Sequence, residues 1–140
     1  MAQLPVIHVK DITAIDGEAR HSGCTKAVLC EHDAAQTSVF RLSPGGLIQT
    51  HLHSRVFDLF LGVSGCVDIT YEGQQGDGHI RLQPDSFCSM PPGVRHEVRN
   101  TSAREEAVFL LIHAPQAGYD FIPVSFRRGD HQLHRLLTRP

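Results

Sequence analysis

Three histidines and one aspartate stand out for the chemistry their spacing allows. His51 and His53 are two residues apart, so on an extended strand both imidazoles project from the same face. Asp58 comes five residues after His53, the wrong parity for one uninterrupted strand. The intervening Ser54-Arg55-Val56 must therefore bend before a carboxylate can return to the two rings. His96 follows Pro91-Pro92-Gly93, a turn that can start a new strand beside the first. Three imidazoles and a carboxylate suit a borderline divalent transition metal such as Fe, Mn, Ni, Cu or Zn. They do not suit Ca or Mg, which prefer all-oxygen cages.

The elements that must position these groups read as short β-rich runs: 26–30, 37–42, 47–51, 56–63, 67–71, 79–82, 86–90, 96–100 and 107–113. Turn residues separate them at 43–46, 64–65, 72–78, 83–85 and 91–93. Strands at this spacing, with no long helical period between them, predict an all-β antiparallel sandwich or closed barrel. Residues 1–22 read as an N-terminal arm that adds an edge strand, 23–114 as the barrel, and 115–140 as a C-terminal packing segment and tail. Phe121, Ile122, Val124 and Phe126 are expected against the outside of the barrel, and 131–140 as a short helix.

Length and composition are those of one soluble domain: 140 residues, 41% hydrophobic, net charge −2 with histidine neutral. Basic residues are not clustered on any visible face, which excludes a nucleic-acid partner. No apolar run approaches the length of a membrane span, and residues 1–10 lack the pattern of a signal peptide, so the protein is expected in the cytoplasm without a membrane partner. The four cysteines show no Cys-x-x-Cys spacing; reduced thiols are expected, with Cys66 and Cys88 as small buried hydrophobes. Ten histidines are the unusual feature of the composition. His8, His21, His32, His79, His131 and His134 fall in arms, loops or termini and read as solvated; His113 reads as a strand-end residue outside the metal set.

Two ordered patterns carry a family resemblance. The first is Gly45, five residues, His51-Leu52-His53, four residues, Asp58, six residues, Gly65. The second is Asp85, five residues, Pro91-Pro92-Gly93, two residues, His96, three residues, Asn100. Together they resemble the two motifs of the cupin superfamily, in its small single-domain, type-2-like form, with every spacing kept. Asp58 stands where the family usually has Glu, and Asp85 where the second motif usually opens with Gly. The resemblance implies a double-stranded β-helix, or jelly-roll barrel, holding a metal in its mouth through His51, His53, Asp58 and His96. Aspartate is one methylene shorter than glutamate. Either the backbone moves inward and Asp58 binds the metal directly, the preferred reading, or Asp58 stands behind the ligands and orients a metal-bound water.

Parity nominates a pocket lining. If Asp58 faces inward so does Phe60, and if His96 does so do Val98 and Asn100. Phe60 and Val98 would form an apolar wall for a small-molecule substrate. Arg55 and Arg95 flank the ligands; Arg95 neighbours His96 and should point away, leaving Arg55 as the candidate for an anionic substrate group. Tyr71 and Tyr119 are the only tyrosines, and either serves as an acid–base group if it reaches the metal. The resemblance implies an enzyme using one divalent transition metal, Fe, Mn, Ni or Zn, most simply a quercetinase-like dioxygenase in which Asp58 or its water takes a substrate proton. The alternatives are a redox-neutral isomerase, lyase or polyketide-type cyclase, and a non-catalytic metal-dependent small-molecule or sugar-binding barrel. A homodimer is expected from the resemblance alone.

Overall fold

A computed structural model describes residues 3–127. Nine strands follow a short 3-10 turn at Ile12–Ala14: β1 Glu18–His32, β2 Ala35–Leu52, β3 Phe57–Ser64, β4 Val67–Gly73, β5 Gly76–Leu82, β6 Phe87–Met90, β7 Arg95–Arg99, β8 Ala107–Ala114 and β9 Ile122–Pro123. All pairings are antiparallel. The strands run in the order β5-β4-β7-β2-β8-β3-β6, with β1 and β9 added to β2, and wrap into a nearly closed barrel. The expected all-β jelly roll is the fold observed. Among the described residues no helix is long and apolar enough to cross a membrane.

β2 joins the two halves of the barrel. Through Leu42 it pairs with β1 on one edge and β8 on the other; from Leu47 it pairs with β7, and at its end with β9. The sequence predicts two strands parted by a turn at 43–46, whereas the backbone runs through as one strand that turns a corner there. Gly45 makes the corner at φ 77°, a left-handed conformation that glycine adopts without steric cost. Asn100 pins it. Its backbone exchanges hydrogen bonds with Gly45 and Gly46, and its amide donates to the carbonyls of Leu42 at 3.1 Å and Glu105 at 2.8 Å. Asn100 is buried as parity requires, but its polar atoms are spent on this corner and not on a pocket.

Alternation places Phe40, Leu42, Ile48, Phe60, Val98 and Phe109 in one core. Phe109 stacks on Phe40 at 5.4 Å between ring centroids and lies 5.6 Å from Phe60. Each such side chain contributes roughly 1.5–3 kcal/mol by leaving water. Cys88 is buried in this core, as expected, while Cys66 is half-buried, and the cysteines are free thiols.

Three other expectations change. β1 begins at Glu18, so the arm becomes strand earlier than its polarity implied. The expected loop 72–78 is a hairpin whose ladder closes at Gly73 and Gly76 around Gln74-Gln75. His79 is not a free solvated ring; its Nε2 lies 2.9 Å from Asp68 Oδ1, beside Arg81 and Thr101 on the same carboxylate. The helix expected over 131–140 lies outside the described residues.

The unusual Asp85 has a backbone explanation. Its φ is 66°, within the left-handed region where aspartate is tolerated and glycine is at ease. Its N–H donates to the Gly62 carbonyl at 3.0 Å. A Cβ on Gly62 would lie 1.9 Å from the Gln83 carbonyl oxygen, with no flexible atom to yield. Gly62→Ala is therefore expected to lower stability in urea denaturation by more than about 2 kcal/mol, while Asp85→Gly leaves it unchanged or raises it slightly.

Candidate metal centre

Three strands and one bend bring the predicted residues together. His51 ends the regular part of β2 and pairs with His96 of β7. His53 lies just past β2, and 53–56 form the break in pairing that the parity of Asp58 demanded. Asp58 enters from β3, paired with Met90 of β6 on one side and His113 of β8 on the other. One donor atom from each of His51, His53, Asp58 and His96 lies within 4.8 Å of the others, and all four residues are buried.

The hydrogen bonds behind these rings show what the cluster can hold. Nδ1 of His51 faces the Gln49 carbonyl at 2.7 Å, that of His96 the Val94 carbonyl at 2.9 Å, and that of His53 the Asp120 carbonyl. A carbonyl only accepts, so each Nδ1 carries the hydrogen, and Nε2 of a neutral ring presents a lone pair. Nε2 of His53 and of His96 lie 3.0 and 3.1 Å from Asp58 Oδ2. Two imine nitrogens thus converge with a carboxylate oxygen on one point, and only positive charge reconciles them. A divalent metal ion would supply it, and the mixed N3O donor set suits Fe, Mn, Ni or Zn. Without a metal, protons must do so. Burial opposes a charge on His53, yet the hydrogen bond and charge of Asp58 raise its pKa above the ordinary value. Burial would likewise raise Asp58, but hydrogen bonds from His113, His53 and His96 hold it well below its usual range. Burial first, and then the neighbouring His96, push His51 down to about 3.

His113 belongs to the site, though its place at the end of an apolar run marked it only as a strand end. Its Nδ1 donates to Asp58 Oδ1 at 2.6 Å, leaving Oδ2 to face the ligand nitrogens. The signal was the parity of β8, which turns Phe109, Leu111 and His113 to one side. Of residues 119–121, Tyr119 was nominated and does reach the cluster, whereas Asp120 was missed and Phe121 was expected elsewhere. The Phe121 ring stacks on His51 at 4.2 Å between centroids, inside the barrel mouth and not on the outside as expected. It also packs on His21, which is half-buried at the mouth and not solvated. Tyr119 lies 5.3 Å from His53 and 4.6 Å from His113, and burial raises its hydroxyl to about 12. Asp120 ties this segment down by accepting from the Ser54 N–H at 2.8 Å and from its hydroxyl.

The cavity among these groups measures about 20 Å³, room for one ion or water, and Phe60 and Val98 form part of its wall as parity required. Arg55 lies outside it, exposed, with its stem over Gly118. A much larger open groove of about 710 Å³ lies between the β4–β5 hairpin and the 91–94 turn. Tyr71 and Arg95 line that groove, which includes none of the four clustered residues. The smaller cavity has the converging donors and is the one suited to chemistry.

Residues 38–113 match the family described as Cupin domain. KdgF from Halomonas sp. superposes with a TM-score of 0.68 at 14% identity, over 81% of this chain and 96% of that one. TT1209 from Thermus thermophilus gives 0.64 at 25% identity, over 76% and 96%. An oxalate oxidase gives 0.67 at 13% identity, over 84% of this chain and 63% of that one. No curated protein matches the sequence.

The lowered pKa of His51 makes stability depend on pH. Below about 6.5 the unfolded chain protonates His51 while the folded chain does not, so its contribution is complete at neutral pH and is lost as pH falls toward about 3. In chelator-treated protein, His51→Gln removes this slope. By pH 4 the wild type is expected to lose about 2–3 kcal/mol more than the variant in urea titrations at the two pH values.

Proposed function

The chain belongs to the cupin family, and on that footing we propose that it is a metal-dependent enzyme acting on a small organic molecule at His51, His53, Asp58 and His96. The observation that carries this reading is the convergence of imidazole lone pairs and a carboxylate oxygen on one buried point, each imidazole held from behind by a carbonyl. A quercetinase-like dioxygenase is the reaction favoured. A bound metal would supply Lewis acidity toward a substrate oxygen and, as Fe or Mn, redox chemistry with O2. The protein's own groups supply the rest. The backbone carbonyls fix the tautomers, and His113 turns one Asp58 oxygen away so that the other faces the site. Phe60, Val98 and Leu111 keep the wall dry. Tyr119 and Phe121 cover the mouth, so a substrate enters by displacing their rings.

Asp58 acts here as a ligand first. A carboxylate committed to a metal would be a weak base, which limits it to acidic substrate protons such as those of enols. Arg55, at the exposed rim, serves at most to attract an anion toward the mouth. A homodimer is part of the same proposal. Leu61 and Phe87 are cross-strand neighbours on β3 and β6, and both are exposed, as is Phe57. β6 ends the strand order, an edge that a second copy would cover. Sedimentation of a concentration-independent monomer would remove the dimer.

The deciding measurement is metal content by mass spectrometry on protein purified without added metal, beside His51→Ala and His96→Ala. Near-stoichiometric Fe or Mn, lost in both variants, is the expected result and directs substrate screening to oxygen uptake with enols and catechols. Near-stoichiometric Zn replaces the dioxygenase with a redox-neutral isomerase, lyase or cyclase. No metal, even after anaerobic reconstitution with Fe, Mn, Ni and Zn, overturns the metalloenzyme.

A further inference from the structure

Lys26 enters the barrel beside the metal-ligand cluster, and nothing in the proposed chemistry uses it. On β1 it pairs with Phe40 of β2, and cross-strand partners share a face. Phe40 lines the small cavity next to the ligands, so the lysine approaches from the inner side of the wall. Its ammonium lies 5.6 Å from the Phe40 ring centroid and 6.0 Å from that of Tyr119. It donates to Gln36 Oε1 at 2.7 Å, and the Gln36 amide nitrogen donates in turn to Glu31 Oε2 at 2.7 Å. Gln36 is buried and sits opposite His113 across β2 and β8, which places the ammonium one side chain away from the histidine that holds Asp58.

Two features show that this polar group is not fully used. Among the described residues Lys26 takes part in no salt bridge, although a half-buried ammonium gains from an anionic partner. Ser38 stands between Gln36 and Phe40 on β2, on the same face by alternation, and its buried hydroxyl has no hydrogen-bond partner. Tyr119 covers both the Lys26 ammonium and the His53–His113 pair. A molecule that displaces that ring therefore meets a cation and the ligand cluster together, with the unspent Ser38 hydroxyl on the same face of β2.

We propose that Lys26 is the anion-recognising residue of this site and that the small molecule taken at the metal centre carries a carboxylate, with Ser38 beside Lys26 as a second donor. This rests on the metal-dependent reading above. Burial lowers the proton affinity of Lys26, as does Arg20, while Glu31 and Asp58 raise it. The carboxylate binds as an anion between the ammonium and the metal, and a neutral molecule of the same shape lacks half of that recognition.

The experiment uses Co(II)-loaded protein and two probes of nearly equal size, glycolate and glycolamide, followed by the visible absorption of the cobalt. Glycolate is expected to perturb the spectrum of the wild type, with affinity falling about tenfold or more in Lys26→Met and recovering most of it in Lys26→Arg. Glycolamide should bind weakly and equally to all three, and cobalt content should not change. A second readout needs no variant. The chain has two lysines, Lys10 and Lys26, and Lys10 is exposed; reductive methylation read by peptide mass should be slowed by glycolate at Lys26 and not at Lys10. Unchanged glycolate affinity in Lys26→Met, or no protection of Lys26, overturns the assignment while leaving the metal centre standing. Wild-type protein that takes up no cobalt overturns the metal centre and this assignment with it.

Discussion

A carboxylate buried among imidazoles is the constraint on which the rest of this structure depends. Asp58 is almost wholly removed from water, and a lone carboxylate in that setting would cost several kcal/mol. His113 satisfies one oxygen, and a positively charged occupant of the cluster would satisfy the other. The histidines can serve that occupant only in one tautomer, and three backbone carbonyls hold them in it. Those carbonyls belong to Gln49, Val94 and Asp120, so β2, the turn before β7 and the segment before β9 are all fixed by the needs of one point in space.

The barrel supplies that point through geometry that no single strand contains. β2 passes from one half of the barrel to the other and delivers His51 beside His96, while the break after Leu52 lets β3 return with Asp58. The corner that makes this possible depends on Gly45 and on Asn100, whose amide hydrogen bonds span β2 and the 102–105 turn. Two motif residues, Gly45 and Asn100, therefore serve the frame and four, His51, His53, Asp58 and His96, form the cluster, although the spacing pattern treats them alike. Asp85 also belongs to the frame: the left-handed backbone there explains why glycine is usual at such a position and why aspartate can replace it.

Closure of the mouth gives the site its chemical character. Phe121 against His51, and Tyr119 against His53 and His113, leave space for an ion or water and little more. Such a site holds little water, so charges inside it are screened less than charges at the surface. The same covering segment contributes the Asp120 carbonyl that orients His53. Any motion that admits a substrate thus also bears on a ligand.

Much of this was legible in the chain. The alternation of apolar residues and the Gly/Pro punctuation are local properties, and they marked the strands and the all-β class. The offsets within each motif are local too; they nominated His51, His53, Asp58 and His96 as candidate ligands and required a break near Ser54. What stayed hidden depends on pairing across long sequence separations. His113 is 55 residues from Asp58 and meets it only because β8 pairs with β3. Phe121 looked like an outer packing residue because its inward position is set by two residues of pairing with β2. Nothing in the chain singles out Lys26; its place follows from pairing across β1 and β2 with a core phenylalanine. The sequence by itself determined which side chains could do chemistry and the period on which they repeat. Only the tertiary structure decided which of them share one desolvated volume, because register and closure are properties of pairs of strands and not of any one segment.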